Sequence, residues 1–598
     1  MKSVSSFSSS FFLLLSTPLR AFAVDSLDWV HQDYVIQQAQ HYSIGRTSIH
    51  DAMEAIIQGA NKYSRLGPWS VENKNNILPP SNDSHDYLSW APYHWPDCNW
   101  CADAKAFPML VDGRGNRAKK KTFTTVAGKH VPKGHKLRDG SSTVFLRHGQ
   151  AMKDRITRYK HATTLPLNRS SELPSQDESE PLNNPQAHLE PFPMPVPSTT
   201  ALQGGSASSG RTARLSRAAT KTLKGTCTPS PASSMPASAT WTTCPYITRD
   251  GQVNPDVRTL NGPVAITAVS QAVLYNAVTY GLTRSPDYSR RAARWIDVFF
   301  LSSSTRMNPH MKFGQIVRGP RPSGQLGTYT GILDLRGLVK IINGIFILKS
   351  SGSPDWTASR DKGMRAWILQ YIGWLENSSI AKMTASRAKF NHASFYVSQL
   401  AVTKIFAGDQ QGAIDVLWHF FNSQFMDQLA GSGEQPFEAV RTRPFHYRCF
   451  NIEALITNAK IGDFLGLDLW SARSKYGATI QTAVDYAIKT KPDDEDIHEL
   501  VPHVASVAAA YGDPDGKYAA FMSRTMADYE SKPFWFYDQT QALPNSPAAR
   551  RTGRRQENVV FGPLIEFSCP MVFDNSNKVE LDMGVYTTCS ELRAFYEY

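Results

Sequence analysis

After its first residues the chain lacks any uninterrupted apolar run near the ~20 residues a membrane-spanning helix needs. Cysteines are scarce, seven in 598 residues, and their odd number leaves at least one thiol free or paired elsewhere. Cys98-Asn99-Trp100-Cys101 has the spacing of zinc or redox sites. No second C-x-x-C and no closely spaced histidine pair follows, which argues against a zinc module. Disulfides are the expected fate of the cysteines, with Cys569 and Cys589 a candidate pair. Charge of one sign is also missing from most of the chain. The formal +12 lies within residues 102–240, which hold 21 Lys plus Arg against 9 Asp plus Glu, leaving 43 of each elsewhere. A basic face for nucleic acid would have to sit in that one segment, so no nucleic-acid partner is expected.

The N-terminus has the parts of a secretory signal: Lys2, the apolar stretch Phe11-Phe12-Leu13-Leu14-Leu15 and the small-x-small run Ala21-Phe22-Ala23. Residues 1–23 are therefore read as a signal peptide and the protein as soluble, secreted and extracellular, without a membrane partner. Residues 24–101 are read as the N-terminal part of the main domain.

Residues 102–240 lack any sustained period of 3.6 or 2. They run from Lys119-Lys120-Lys121 into Pro/Ser/Thr-rich sequence such as the stretch 191–197. A structureless loop this long is unusual inside a compact domain. It is read as a low-complexity basic insert, and three accounts compete: a disordered linker, a basic binding arm, or non-coding sequence translated through a wrong gene model. The last is preferred.

From Asn261 onward helix-period segments follow one another, separated by Gly, Pro and Asp. Pro263 opens a run with Ile266, Val269, Val273 and Ala277 on one stripe, which Gly281 is expected to stop. Another follows Asp287, and further runs are read at about 333–349, 359–376, 393–407, 411–425, 450–466, 477–489, 497–511 and 515–527. Strand-like alternation is scarce. The fold class is all-α, with a bundle, a solenoid and an α/α toroid all compatible with the pattern. The domain is placed at 241–530, and the extension 531–598 is left unassigned.

Two clusters carry candidate chemistry: Asn391-His392 at a helix start, and the run from Glu434 through Glu438, Arg441 and Arg443 to His446 and Tyr447. Taken singly they are ordinary; Arg441 or Arg443 could pair with Glu438 or Glu434 at helical spacing. Together they suit β-elimination of a uronic acid. An amide (Asn391) and a guanidinium (Arg441) can neutralise the carboxylate and stabilise the enolate-like intermediate. His392 titrates near neutrality and can serve as base or acid. Tyr447 needs a nearby cation such as Arg441 to lower its pKa before it acts as a base. The aromatic segment Asp86–Asp97 supplies Tyr87, Tyr93, His94 and Trp95 for stacking on sugar rings.

These motifs together resemble the alginate-lyase superfamily, particularly its fungal-type members, over about 61–101 and 241–470. The resemblance rests on Pro79-Pro80-Ser81 through Tyr87 and Ser89, on Ala91 to Asp97, and on Cys244-Pro245-Tyr246 with Arg249-Asp250-Gly251 and Asn254-Pro255. It continues through Thr305 to Pro309, Gln315, Asn391-His392, and Gln435-Pro436 with Glu438, Arg441-Thr442, His446-Tyr447 and Asn451. It implies an α/α toroid, an incomplete α/α barrel, acting as a monomer without cofactor or metal on an acidic polysaccharide. It also implies elimination at Asn391, His392, Arg441 and Tyr447, with Tyr87, Tyr93, His94, Trp95, Gln315 and His446 binding substrate. Two departures stand out. Phe390 replaces the first of two asparagines before the histidine, and Gly324–Ile332 lacks the expected Gly- and Arg-rich character. The competing readings are a glycoside hydrolase using Glu434 and Glu438, or Asp83 and Asp86, and a non-catalytic carbohydrate-binding protein.

Overall fold

The computed structural model describes residues 29–44, 49–96, 246–319, 325–386, 390–550, 566–574 and 576–597. The signal sequence, Cys98, Cys101 and the whole of 102–240 lie outside them, as does the Arg551–Arg555 stretch.

Two kinds of helix alternate along the chain. After α1 (Gln32–Ile44) and α2 (His50–Tyr63) comes the short strand β1 (His94–Pro96), paired with β2 (Tyr246–Thr248). Helix α3 (Gly262–Thr283) is buried on every side, whereas α4 (Pro286–Ile296) buries one face. The alternation continues through buried α5 (Leu338–Ser350), one-faced α6 (Ala358–Asn377) and the short α7 (Ser379–Ser386). Next come buried α8 (Asn391–Phe406), one-faced α9 (Gln410–Phe421), buried α10 (Pro444–Phe464) and one-faced α11 (Ile480–Lys489). Buried α12 (Val501–Tyr511) and one-faced α13 (Lys517–Thr525) complete the series. A helix apolar on one stripe belongs at a surface, and one without a polar face belongs inside. The inner helices α3, α5, α8, α10 and α12 pack side by side in that order, each backed by outer helices. This is an α/α toroid. Between α12 and α2 the short helix Pro533–Tyr537 closes the gap, with Tyr34 against Phe536 at 5.3 Å.

Polar side chains fix the rotation of the inner helices. Ser394 on α8 donates to Asn451 on α10 at 2.9 Å, Asn451 donates to Gln435 at 2.8 Å, and Ser398 donates to Asn458 at 2.8 Å. Slipping α8 against α10 would orphan these buried groups, each at a cost of roughly 1–3 kcal/mol.

Two helix boundaries differ from those expected. Gly281 does not stop α3, which runs to Thr283 before Arg284 turns left-handed at φ 58°. The glycine is there for packing: a Cβ on it would lie 2.7 Å from the Val35 side chain of α1. Helix α10 begins at Pro444 rather than near Asn451, because proline at the first position costs no hydrogen bond. His446 and Tyr447 therefore sit in its first turn.

Each outer helix returns the chain, so the inner helices run one way and their N-termini gather at one end. The connecting segments collect there too. His94, Trp95 and Pro96 pair with Thr248, Ile247 and Tyr246, bringing the two sides of residues 97–245 together as strand neighbours. The unassigned C-terminus forms a hairpin, β3 (Lys578–Asp582) and β4 (Val585–Thr588), followed by α14 (Cys589–Tyr596). The Cys569–Cys589 disulfide anchors it, and Val579, Leu581, Leu592 and Tyr596 pack with Phe390, Ala430 and Phe437. Cys449 is a buried free thiol. Among the described residues no helix is long and apolar enough to cross a membrane.

Candidate active site

Arg441 is the hub. It follows the one-turn helix Pro436–Ala439 and is 4% exposed. Its Nε and Nη2 donate to the Asp250 carboxylate at 3.2 and 2.7 Å, and Thr442 donates to the same aspartate through both its N–H and its hydroxyl. Gly251 makes this junction possible: at φ 70° it lies so close to Thr442 that a Cβ would come within 2.4 Å of Oγ1. Arg441 Nη2 also donates to the Tyr447 hydroxyl at 2.8 Å and to Asp582 Oδ2 at 3.0 Å. The guanidinium lies 3.8 Å from the Tyr447 ring centre. The pairing with Glu438 or Glu434 considered from helical spacing does not form. Asp250 and Asp582, from distant parts of the chain, take those places.

The cation expected to lower the Tyr447 pKa is thus in contact, yet the pKa lies well above the usual tyrosine value. Burial is the largest cause, and Tyr93, Asp582 and Asp250 add to it against the opposing pull of Arg441. Tyr447 is held as a neutral phenol. Its hydroxyl also meets that of Tyr93.

His392 sits one residue inside α8, 2% exposed, between Phe390 at 5.3 Å and Tyr329 at 5.6 Å. Burial pulls its pKa down to about 4 and outweighs the attraction of Asp582, so the imidazole is neutral at neutral pH. Among the described residues its buried Nδ1 has no hydrogen-bond partner, and neither has that of His94. His94 is likewise lowered by burial, and its Nε2 faces the Thr248 hydroxyl at 3.3 Å. Native proteins rarely leave such nitrogens unpaired.

Asn391 turns away from this chemistry. Its Nδ2 donates to both oxygens of Glu438, at 3.1 and 2.9 Å, and its backbone N–H to one of them at 3.0 Å. Burial raises Glu438 to about 7.

The other candidate residues divide. Tyr93 and His94 lie at the Arg441–Tyr447 cluster. Trp95 flanks it, its indole donating to Gln252 O at 2.9 Å with Arg249 stacked at 4.9 Å. His446 points to Glu499 at 2.7 Å and stacks on Phe450. Tyr87 and Gln315 instead meet at the half-buried Asp334: the Tyr87 hydroxyl donates to it at 3.2 Å and Gln315 Nε2 at 2.8 Å. The carboxylates considered for hydrolysis are engaged structurally. Glu434 forms a bidentate pair with Arg448 at 2.6 and 2.7 Å, and Asp83 and Asp86 share the Asn308 amide at 2.8 and 2.7 Å. A small cavity of about 70 Å³ opens between α3, α5, α8 and α10, lined by Arg336, Lys340 and Glu453 among others. Arg336 stacks on Phe450, the ring that His446 covers on another side. Asp250 was visible only as a motif member, Tyr329 lies in the stretch 324–332 that departs from the family pattern, and Asp582 carried no signal: neither sequence distance nor composition ties it to Arg441.

The sequence model of the family described as Alginate lyase matches residues 199–497. The chain belongs to the alginate lyase family. Being of that family, it is a polysaccharide lyase. The match begins inside the segment that composition sets apart. No curated protein matches the chain. The fold is similar to the crystal structure of an alginate lyase from Bacteroides ovatus, at 19% identity and TM-score 0.55 over 85% of this chain and 98% of that one. Alginate lyase A1-III from Sphingomonas species A1 aligns at 13% identity and TM-score 0.34, over 45% of this chain and 74% of that one. The first of these likenesses supports the toroid, and nothing about substrate is taken from either.

Proposed function

We propose that this member of the alginate lyase family is a secreted enzyme that cleaves a 1,4-linked uronic-acid polymer, of the alginate or glucuronan kind, by β-elimination. The observation that carries the reading is the pairing, around Arg441, of a buried neutral imidazole that has an unpaired Nδ1 with a phenol kept protonated. These are the two states a base and an acid need before the reaction begins.

In the proposed reaction His392 Nδ1 takes the C5 proton. The C5–H electron pair becomes the C4–C5 double bond as the C4–O4 bond breaks, and Tyr447 gives its proton to the departing O4. Arg441 stabilises the phenolate this leaves, through the contact already made to the Tyr447 oxygen. An incoming carboxylate raises the basicity of this neutral imidazole as it binds, because a nearby anion favours the protonated ring. Asn391, whose amide is held by Glu438, acts as a positioning residue for the start of α8. Tyr93, His94, Trp95 and His446 surround the sugar, whereas Tyr87 and Gln315 act at one remove through Asp334. The Cys569–Cys589 disulfide supports export to an oxidising compartment.

The test is product analysis on alginate, its mannuronate- and guluronate-rich fractions, and glucuronan. Unsaturated uronate at the new non-reducing ends is expected from at least one of them. Saturated products only, or retention without turnover, would overturn the reading.

A further inference from the structure

The C-terminal hairpin lies beyond the segment matched by the family and takes no part in the reaction above, yet it delivers a carboxylate to the hub. Asp582 closes β3 and accepts from Arg441 Nη2 at 3.0 Å. This contact is redundant for holding Arg441, which Asp250 already grips through Nε and Nη2 with Thr442 behind it. What Asp582 adds is a second negative charge against one guanidinium, in a site meant for an anion. Access points the same way. Asn391, His392, Arg441 and Tyr447 are between 1% and 4% exposed, and the hairpin is one of the elements laid against them, through Asp582 on Arg441.

The two ends of the hairpin are held differently. Its base is fixed by the Cys569–Cys589 bridge, by the Thr588–Glu591 capping box of α14, and by Val579 and Leu581 against Phe390 and Phe437. Its tip is attached by polar contacts: Asp582 to Arg441, and Met583 O accepting from the Thr248 hydroxyl at 3.0 Å. The ladder is irregular between Glu580 and Asp582, and Gly584 turns at φ 80° directly against Thr248.

We propose that the tip, residues 582–585, is a strap that closes the empty site. Asp582 occupies the anion position beside Arg441 and is displaced when a uronate carboxylate arrives. The proposal rests on the lyase reading for what displaces it, but not for the latch itself.

The experiment compares full-length, disulfide-intact wild type with Asp582→Asn. Removing the competing charge should raise kcat/KM on the uronate polymer about tenfold, mainly through KM, as expected when a like charge no longer opposes binding. Amide hydrogen exchange at 582–585 should quicken while exchange at 589–596 stays unchanged. Thr248→Val, which cuts the other attachment of the tip, should shift both readouts the same way by less and covers the case of an unfolded Asp582 variant. A fall in kcat with KM unchanged, or a displaced alkaline limb with slower turnover, would make Asp582 a positioning partner of Arg441 and overturn the strap. Where neither protein yields an unsaturated product, the lyase reading fails alone. Exchange then decides the latch: faster at the tip supports it, unchanged refutes it.

Discussion

Replacing Tyr447 by phenylalanine isolates the proton donor from the architecture around it. The ring keeps its place under the Arg441 guanidinium, 3.8 Å from its centre, and loses one oxygen. Arg441 still holds Asp250 and Asp582, so its charge stays paired and the fold should change by no more than the ~1 kcal/mol of a single hydrogen bond. The reaction loses more. Without an acid the O4 alkoxide must leave unprotonated, and general acid catalysis is worth roughly 10²–10⁴-fold. A hundredfold loss in kcat corresponds to about 2.7 kcal/mol at 1.36 kcal/mol per decade. Initial rates read from the ultraviolet absorbance of the new double bond, with a thermal melt of the same preparation, separate the two quantities. A variant that melts like wild type and eliminates within threefold of its rate would refute the role given to Tyr447.

His392→Ala should lower kcat by at least about a hundredfold, the scale of a lost general base, with product formation as the measurement. Glu438→Gln should remove a pH-dependent term in stability. The folded pKa of about 7 lies above the unfolded 4.5, so the protonated acid is favoured by folding and that contribution is lost as pH rises through this window. At 1.36 kcal/mol per unit the term is about 3 kcal/mol, and the change in unfolding free energy between pH 4.5 and 7.5, from denaturant titrations, should differ between the two proteins by that order. Gly281→Ala should destabilise by roughly 1–3 kcal/mol through overpacking against Val35, measurable by thermal melting, without altering the elimination rate per folded molecule.

The helices themselves were written locally, in stretches such as 266–277 and 359–376, because helical period is a property of neighbouring residues; which of them are inner was not, since 266–277 reads as one stripe and folding buries every face. The motif pieces Asn391-His392 and Arg441 to Tyr447 were legible for the same reason, as was the Cys569–Cys589 pair. Boundaries were less so: Gly281 reads as a stop until Val35 is seen beside it.

What the tertiary structure alone decided is the state of each group. The pKa of His392 falls and that of Tyr447 rises because surrounding helices and the hairpin remove water, an effect with no trace in the residues' own identities. Arg441 reads as a partner for Glu438, three residues away, but folding brings it Asp250 and Asp582, 191 and 141 residues distant. Sequence determined which chemical groups this protein owns and which helices carry them. Only the closed toroid, with its C-terminal hairpin laid across one end, determined which of those groups meet, which are charged, and which are covered.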